Sequence, residues 1–116
     1  MGLTLKLRMS GSEASEEVEL TVDTGSTYTW VAESKLRVIG AKSLGKRNFR
    51  TIEGREIVRN VGEAVLEFGG EEATRIVVFA EPGDAEVLGV DSLEGLGLEV
   101  DPTTRRLKKV EAFIAY

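Results

Sequence analysis

The chain reads as an all-β barrel or sandwich of short strands, and three observations point there. Seven or eight short apolar-rich segments are separated by turn signals roughly every 8–12 residues, the rhythm of an antiparallel barrel or sandwich. The first third alternates apolar and polar residues with the two-residue period of half-buried strands. One short segment near the C-terminus, Asp91–Gly97, carries helix signals. With 116 residues and an even composition, these elements predict one domain spanning 1–116, without linker, tandem repeat or low-complexity stretch.

Leu3, Leu5, Leu7 and Met9 alternate with Thr4, Lys6 and Arg8, which predicts the first strand. The polar, flexible stretch Ser10–Glu16 reads as a hairpin connection. Val18, Leu20 and Val22 repeat the alternation and run directly into Asp23-Thr24-Gly25-Ser26. Tyr28-Thr29-Trp30-Val31 then resumes a strand of high β-propensity, so Asp23 is expected in a tight loop between two strands. Ala32–Ile39 fits one or two helical turns stopped by Gly40. Asn48–Arg59 carries β-type residues on both sides of Glu53-Gly54-Arg55, where Gly54 can supply a positive φ, and reads as a projecting hairpin. Val61–Phe68 and Ala73–Ala80 flank Gly69-Gly70 as a second hairpin. After the loop Glu81-Pro82-Gly83-Asp84 come Val87-Leu88-Gly89 and then Asp91-Ser92-Leu93-Glu94, whose spacing is that of an N-cap and its reciprocal glutamate. Leu98–Val100, a turn at Asp101-Pro102 and the apolar run Val110–Ile114 complete the pattern.

Composition narrows the chemistry. Cysteine and histidine are both absent, which removes thiolate nucleophiles, Cys-ligated zinc, a Ser-His-Asp triad and any imidazole base. An enzyme built from this chain must work with carboxylates, hydroxyls, lysines or arginines. The 15 basic and 20 acidic residues give a net charge of −5, which argues against nucleic acid as the main partner. No stretch approaches the roughly 18 apolar residues of a membrane span. Charges interrupt the apolar N-terminus, so no export signal is read there, and the expected localisation is cytoplasmic. The many acidic residues fall mostly in turns or on polar strand faces, and none has calcium-loop spacing; no metal and no cofactor is expected.

Two motifs read as coincidences. Gly40–Arg47 imitates a phosphate-binding GxxxxGK[ST] loop, but Arg47 replaces the hydroxyl and no helix follows. Ser43 and Lys46 have the spacing of a Ser-Lys dyad, but Gly45 lies in a segment not read as helix. A basic surface turn is the expectation for this stretch.

Asp23-Thr24-Gly25-Ser26 stands apart: a carboxylate follows a buried alternation, hydroxyls stand beside it, and apolar and aromatic residues come after. Taken in order, Val22–Ser26, the hairpin around Glu53-Gly54-Arg55, and Val87-Leu88-Gly89 with its helix resemble the retropepsin-like aspartic proteases. The similarity is to small archaeal and bacterial members, above all over Leu88–Pro102, and covers roughly residues 3–107. It implies a closed or partly open β-barrel with a flap hairpin and one short C-terminal helix. Viral members usually place an arginine after the apolar-apolar-glycine unit to brace the active-site region. Val90 stands there in this chain, which implies different bracing and dimer contacts.

The resemblance also implies an activity. Peptide hydrolysis by this chemistry needs two carboxylates around one water, one acting as base and the other as acid. A chain with one Asp-Thr-Gly supplies the pair only as a two-fold homodimer, Asp23 facing its counterpart. Thr24 would bond across the axis, Gly25 would permit close approach and donate its N–H to the carboxylate, and Ser26 would donate to Asp23 and lower the first pKa of the pair. On that last role, Ser26→Ala moves the acid limb of the pH–rate profile upward. The flap around Gly54 would close over an extended peptide or unfolded protein bound as an added strand. Trp30, Val31, Ile52, Ile57, Val87 and Leu88 are candidate apolar subsite walls, although each also fits a plain core role, and they suggest cleavage between large apolar residues. Val110–Ile114 fits either a dimer seam or an ordinary edge strand. Two other readings stay open: a non-catalytic dimerising or peptide-binding module on the same fold, and an unrelated barrel with an accidental Asp-Thr-Gly.

Overall fold

The structure is a computed structural model that describes residues 2–110. It contains β1 (Thr4–Ser10), β2 (Ser15–Val22), β3 (Thr29–Ala32), α1 (Glu33–Val38), β4 (Ser43–Arg50), β5 (Glu56–Phe68), β6 (Glu71–Ala80), β7 (Val87–Leu88), α2 (Val90–Gly95), β8 (Leu98–Val100) and β9 (Leu107–Lys109).

The N-terminal alternation folds as its period dictates. Leu5, Leu7 and Met9 of β1 point inward, and β2 pairs with it antiparallel, placing Val18 opposite Leu7 and Leu20 opposite Leu5. The large sheet has the order β1-β2-β7-β3-β6-β5-β4, and β1 also pairs with β5 through Met9 and Leu66. That second pairing closes six strands into a ring, with β4 outside it on the free edge of β5. Closure pairs edges that an open sheet would leave bare, and the outer side of β4 stays unpaired among the described residues. Most neighbours are antiparallel, but β2 and β7 run parallel, as do β3 and β6. The core gathers the inward residues of the ring, including Leu66, Val77 and Phe79, with Leu36 of α1 and Leu93 and Leu96 near α2.

Three expectations change. The stretch expected as a basic surface turn is largely strand: β4 begins at Ser43 and pairs with β5, with a bulge between Ser43 and Gly45 that absorbs the glycine. Ser43 Oγ is 3.0 Å from Asn60 Oδ1, and no Ser-Lys dyad forms. The flap arm and the next strand, separate in the sequence reading, are one 13-residue strand, β5. The helix after Gly89 starts at Val90, with Gly89 at its N-cap and no side-chain cap bond, so Asp91 lies in the first turn and the expected capping box does not form. Tertiary bonds to Gly89 fix that start in place of a local cap. Of the apolar run 110–114, Val110 donates its N–H to the Gly97 carbonyl at 2.8 Å, and the rest lies outside the described residues. No helix among the described residues is long and apolar enough to cross a membrane.

Candidate active site

Asp23 leaves the end of β2 at the point where that strand pairs with β7. Its N–H donates to the Leu88 carbonyl at 3.0 Å. The chain then reverses in a turn in which the Ser26 N–H reaches the Asp23 carbonyl at 3.1 Å. Inside this turn the Gly25 N–H donates to Asp23 Oδ1 at 2.9 Å, fixing the carboxylate over the loop backbone. Asp23, Thr24 and Gly25 are all exposed.

The loop is tied to the helix beneath it. The Val90 and Asp91 N–H groups donate to the Ser26 and Thr27 carbonyls at 2.8 and 3.0 Å. The Thr29 hydroxyl, fully buried, accepts the Gly89 N–H at 3.0 Å and is bonded to the equally buried Ser92 hydroxyl. Gly89 passes so close to the preceding segment that a Cβ there would lie 2.3 Å from the Tyr28 carbonyl oxygen, so only glycine fits. The helix lacks an arginine at position 90, and these hydroxyl and backbone bonds brace the loop instead. Asp91 in the same helix is 3.8 Å from the Arg75 guanidinium.

Ser26 takes a different place from the one expected. Its hydroxyl donates to the Tyr28 carbonyl at 2.8 Å, within its own loop, and not to Asp23. The local geometry explains this: two residues on, the strand entry offers a carbonyl at the reach typical of a short hydroxyl turn.

The flap is the end of the β4–β5 hairpin. Thr51 and Arg55 close it, with the Thr51 N–H on the Arg55 carbonyl at 2.8 Å and the Gly54 N–H on the Thr51 carbonyl at 2.9 Å. Gly54 has φ +85°, the left-handed conformation anticipated for it. Ile52 stands fully exposed at the tip. Ile57 is half-buried and lies opposite Phe49 on β4. Phe49 packs edge-on against Trp30 and Tyr28, with ring centroids 4.9 and 6.4 Å apart, so this face of the hairpin packs on the segment that follows the Asp23 loop. Arg47, on the same face, donates to the Tyr28 hydroxyl at 2.8 Å. Farther along β5, Arg59 is held by Asp84 through two bonds of 2.6 and 2.9 Å. Those bonds, the Glu81 N–H and the nearby positive charges hold the Asp84 carboxyl below its usual pKa, against a smaller opposing effect of burial.

The apolar candidates separate into two groups. Val31 and Leu88 are 0% exposed and belong to the core; as subsite walls they are corrected, because the strand alternation turns both inward. Trp30 and Val87 are half-buried and paired across β3 and β7, and Ile52 and Ile57 are on the flap. The sequence reading missed the buried Thr29–Ser92 bond. Its visible signal was a hydroxyl at an inward strand position, in register with Val31. Beside Thr24, a recess of about 430 Å³ is lined by Val90, Leu93, Leu98, Val100 and Val110 among others.

No protein-family model and no curated protein sequence matches the chain. Among solved structures, the solution structure of the Simian Foamy Virus (mac) protease matches with a TM-score of 0.53 and 21% identity, over 79% of this chain and 92% of the viral one. The fold of this chain is therefore retropepsin-like and all-β.

Proposed function

We propose that the protein is an aspartic endopeptidase, active as a homodimer in which two Asp23 carboxylates activate one water between them. The observation that carries this reading is the setting of Asp23. A single exposed carboxylate is oriented by a backbone N–H on a loop that strand pairing, a helix and a buried hydroxyl bond all hold in place. A lone solvated aspartate in a turn needs none of that support. On a fold shared with a viral protease, the support is what catalysis by prearranged groups requires.

In the dimer, two carboxylates roughly 3 Å apart share one proton, because both cannot ionise at that distance. The ionised member takes a proton from water as it attacks the scissile carbonyl. The protonated member donates to the carbonyl oxygen, and the pair titrates as a unit. Thr24 links the two loops across the axis, and the apolar recess beside it offers surface for a second copy. The flap closes over an extended peptide, with Ile52, Ile57 and Val87 contacting apolar side chains on either side of the cleaved bond. The braced loop also weighs against a merely structural, non-catalytic module, since Thr29 and Ser92 supply what Val90 does not.

Asp23→Asn tests the proposal. Cleavage of an unfolded protein should fall by several orders of magnitude while sedimentation still reports a dimer. Cleavage retained in that variant, or a wild-type chain that stays monomeric at high concentration, would overturn it.

A further inference from the structure

We infer that Arg47 is a specificity residue that selects a carboxylate side chain in the bound peptide; the path of that peptide rests on the protease reading above. Strand alternation puts Arg47 on the same face of the hairpin as Phe49, the face that meets Tyr28 and Trp30. Its guanidinium donates to the Tyr28 hydroxyl at 2.8 Å and lies 5.4 Å from the centre of that ring. Tyr28 is itself fixed: its carbonyl accepts the Ser26 hydroxyl and sits against Gly89. Arg47 therefore stands where the hairpin arm packs on the segment that leaves the Asp23 loop.

Its charge is uncommitted. Arg59, directly across the strand pair, is engaged by Asp84 and Glu81, and Arg50 by Glu56. Among the described residues Arg47 makes no ion pair, in a chain whose net charge is −5. The Tyr28 hydroxyl carries no carboxylate and occupies only one of the five guanidinium N–H donors. The remaining fork has the geometry that binds a carboxylate through two hydrogen bonds, and the tyrosine contact holds it in one orientation before any ligand arrives. A peptide added as a strand presents alternate side chains to one wall, so the preference should fall on one position, or on positions of the same parity, along the substrate.

The test uses matched peptides with Glu or Gln at each position in turn. They are assayed for binding to the Asp23→Asn protein and for cleavage by the wild-type enzyme. A hydrogen-bonded charge pair at an exposed site should favour Glu over Gln by about five- to tenfold at one position. Arg47→Gln should abolish that ratio, Arg47→Lys should keep part of it, and Arg47→Glu should turn it in favour of a Lys peptide. A purely structural role for Arg47 would lower all peptides together and leave the ratios untouched. The inference is overturned by no Glu preference in either assay, or by one that survives Arg47→Gln. A Glu preference in binding without any cleavage by the wild-type chain sustains the role of Arg47 and overturns the protease reading.

Discussion

Replacing Thr29 by valine keeps the shape of the side chain and strips the Gly89 N–H and the Ser92 hydroxyl of their common partner. Two buried polar groups left unpaired cost roughly 2–4 kcal/mol together, which chemical denaturation should report as a clear fall in midpoint. Ser92→Ala removes only the outer member and should cost about 1 kcal/mol. Ser26 is the residue at which geometry revises an expectation. With its hydroxyl on the Tyr28 carbonyl, Ser26→Ala should lower stability by about 1 kcal/mol and leave the acid limb of the pH–rate profile where it is. An acid limb that shifts upward would show the hydroxyl turning to Asp23 when substrate is bound. The motif was legible at this scale because Asp-Thr-Gly is local in sequence. The hydroxyl partners were not, because Thr29 and Ser92 are 63 residues apart and meet only when the barrel closes.

Among the elements, the flap arm depends on one clasp. Asp84 grips Arg59 with two bonds, and both side chains are only 15% exposed. The carboxyl has a folded-state pKa below its ordinary value of 3.8. As acid is added, the unfolded chain takes up this proton first, so the contribution to stability is full above that value and is lost as pH falls through the depressed one. Asp84→Asn should therefore lower Tm at neutral pH, and its deficit against wild type should shrink as pH falls below the ordinary carboxylate range. Amide exchange at Arg59 and Asn60 should quicken in the same variant. Strands with clean two-residue alternation, β1 and β2, were readable from the sequence with nearly their final bounds. β4 was not, since Ser-Leu-Gly-Lys-Arg-Asn has the composition of a turn and becomes a strand only because the edge of β5 is there to pair with it. The start of α2 was misplaced for a related reason: distant hydrogen bonds to Gly89 outweighed a plausible local cap.

For the molecule as a whole, the proposed homodimer with one Asp23 from each chain makes a concentration-dependent prediction. If activity belongs to paired chains, specific activity should rise with protein concentration and then level off. Mixing in Asp23→Asn subunits should depress it beyond simple dilution, because mixed pairs carry one competent acid. A linear, additive response would show that each chain acts alone. The ring closure of β1 onto β5 was the least legible feature, since it joins residues 8–10 to 65–67 with no local signal in either segment. One consequence follows from the 13 residues of β5 being shared by the ring and the hairpin. The same continuous ribbon is wall at one end and lever at the other, so a tug at the tip loads the ladder between Val61 and Leu66 as shear. On the proposed peptide-binding role, grip on a ligand and resistance to heat should rise and fall together. Substitutions that stiffen the wall should slow opening of the lever even when they lie far from anything it touches.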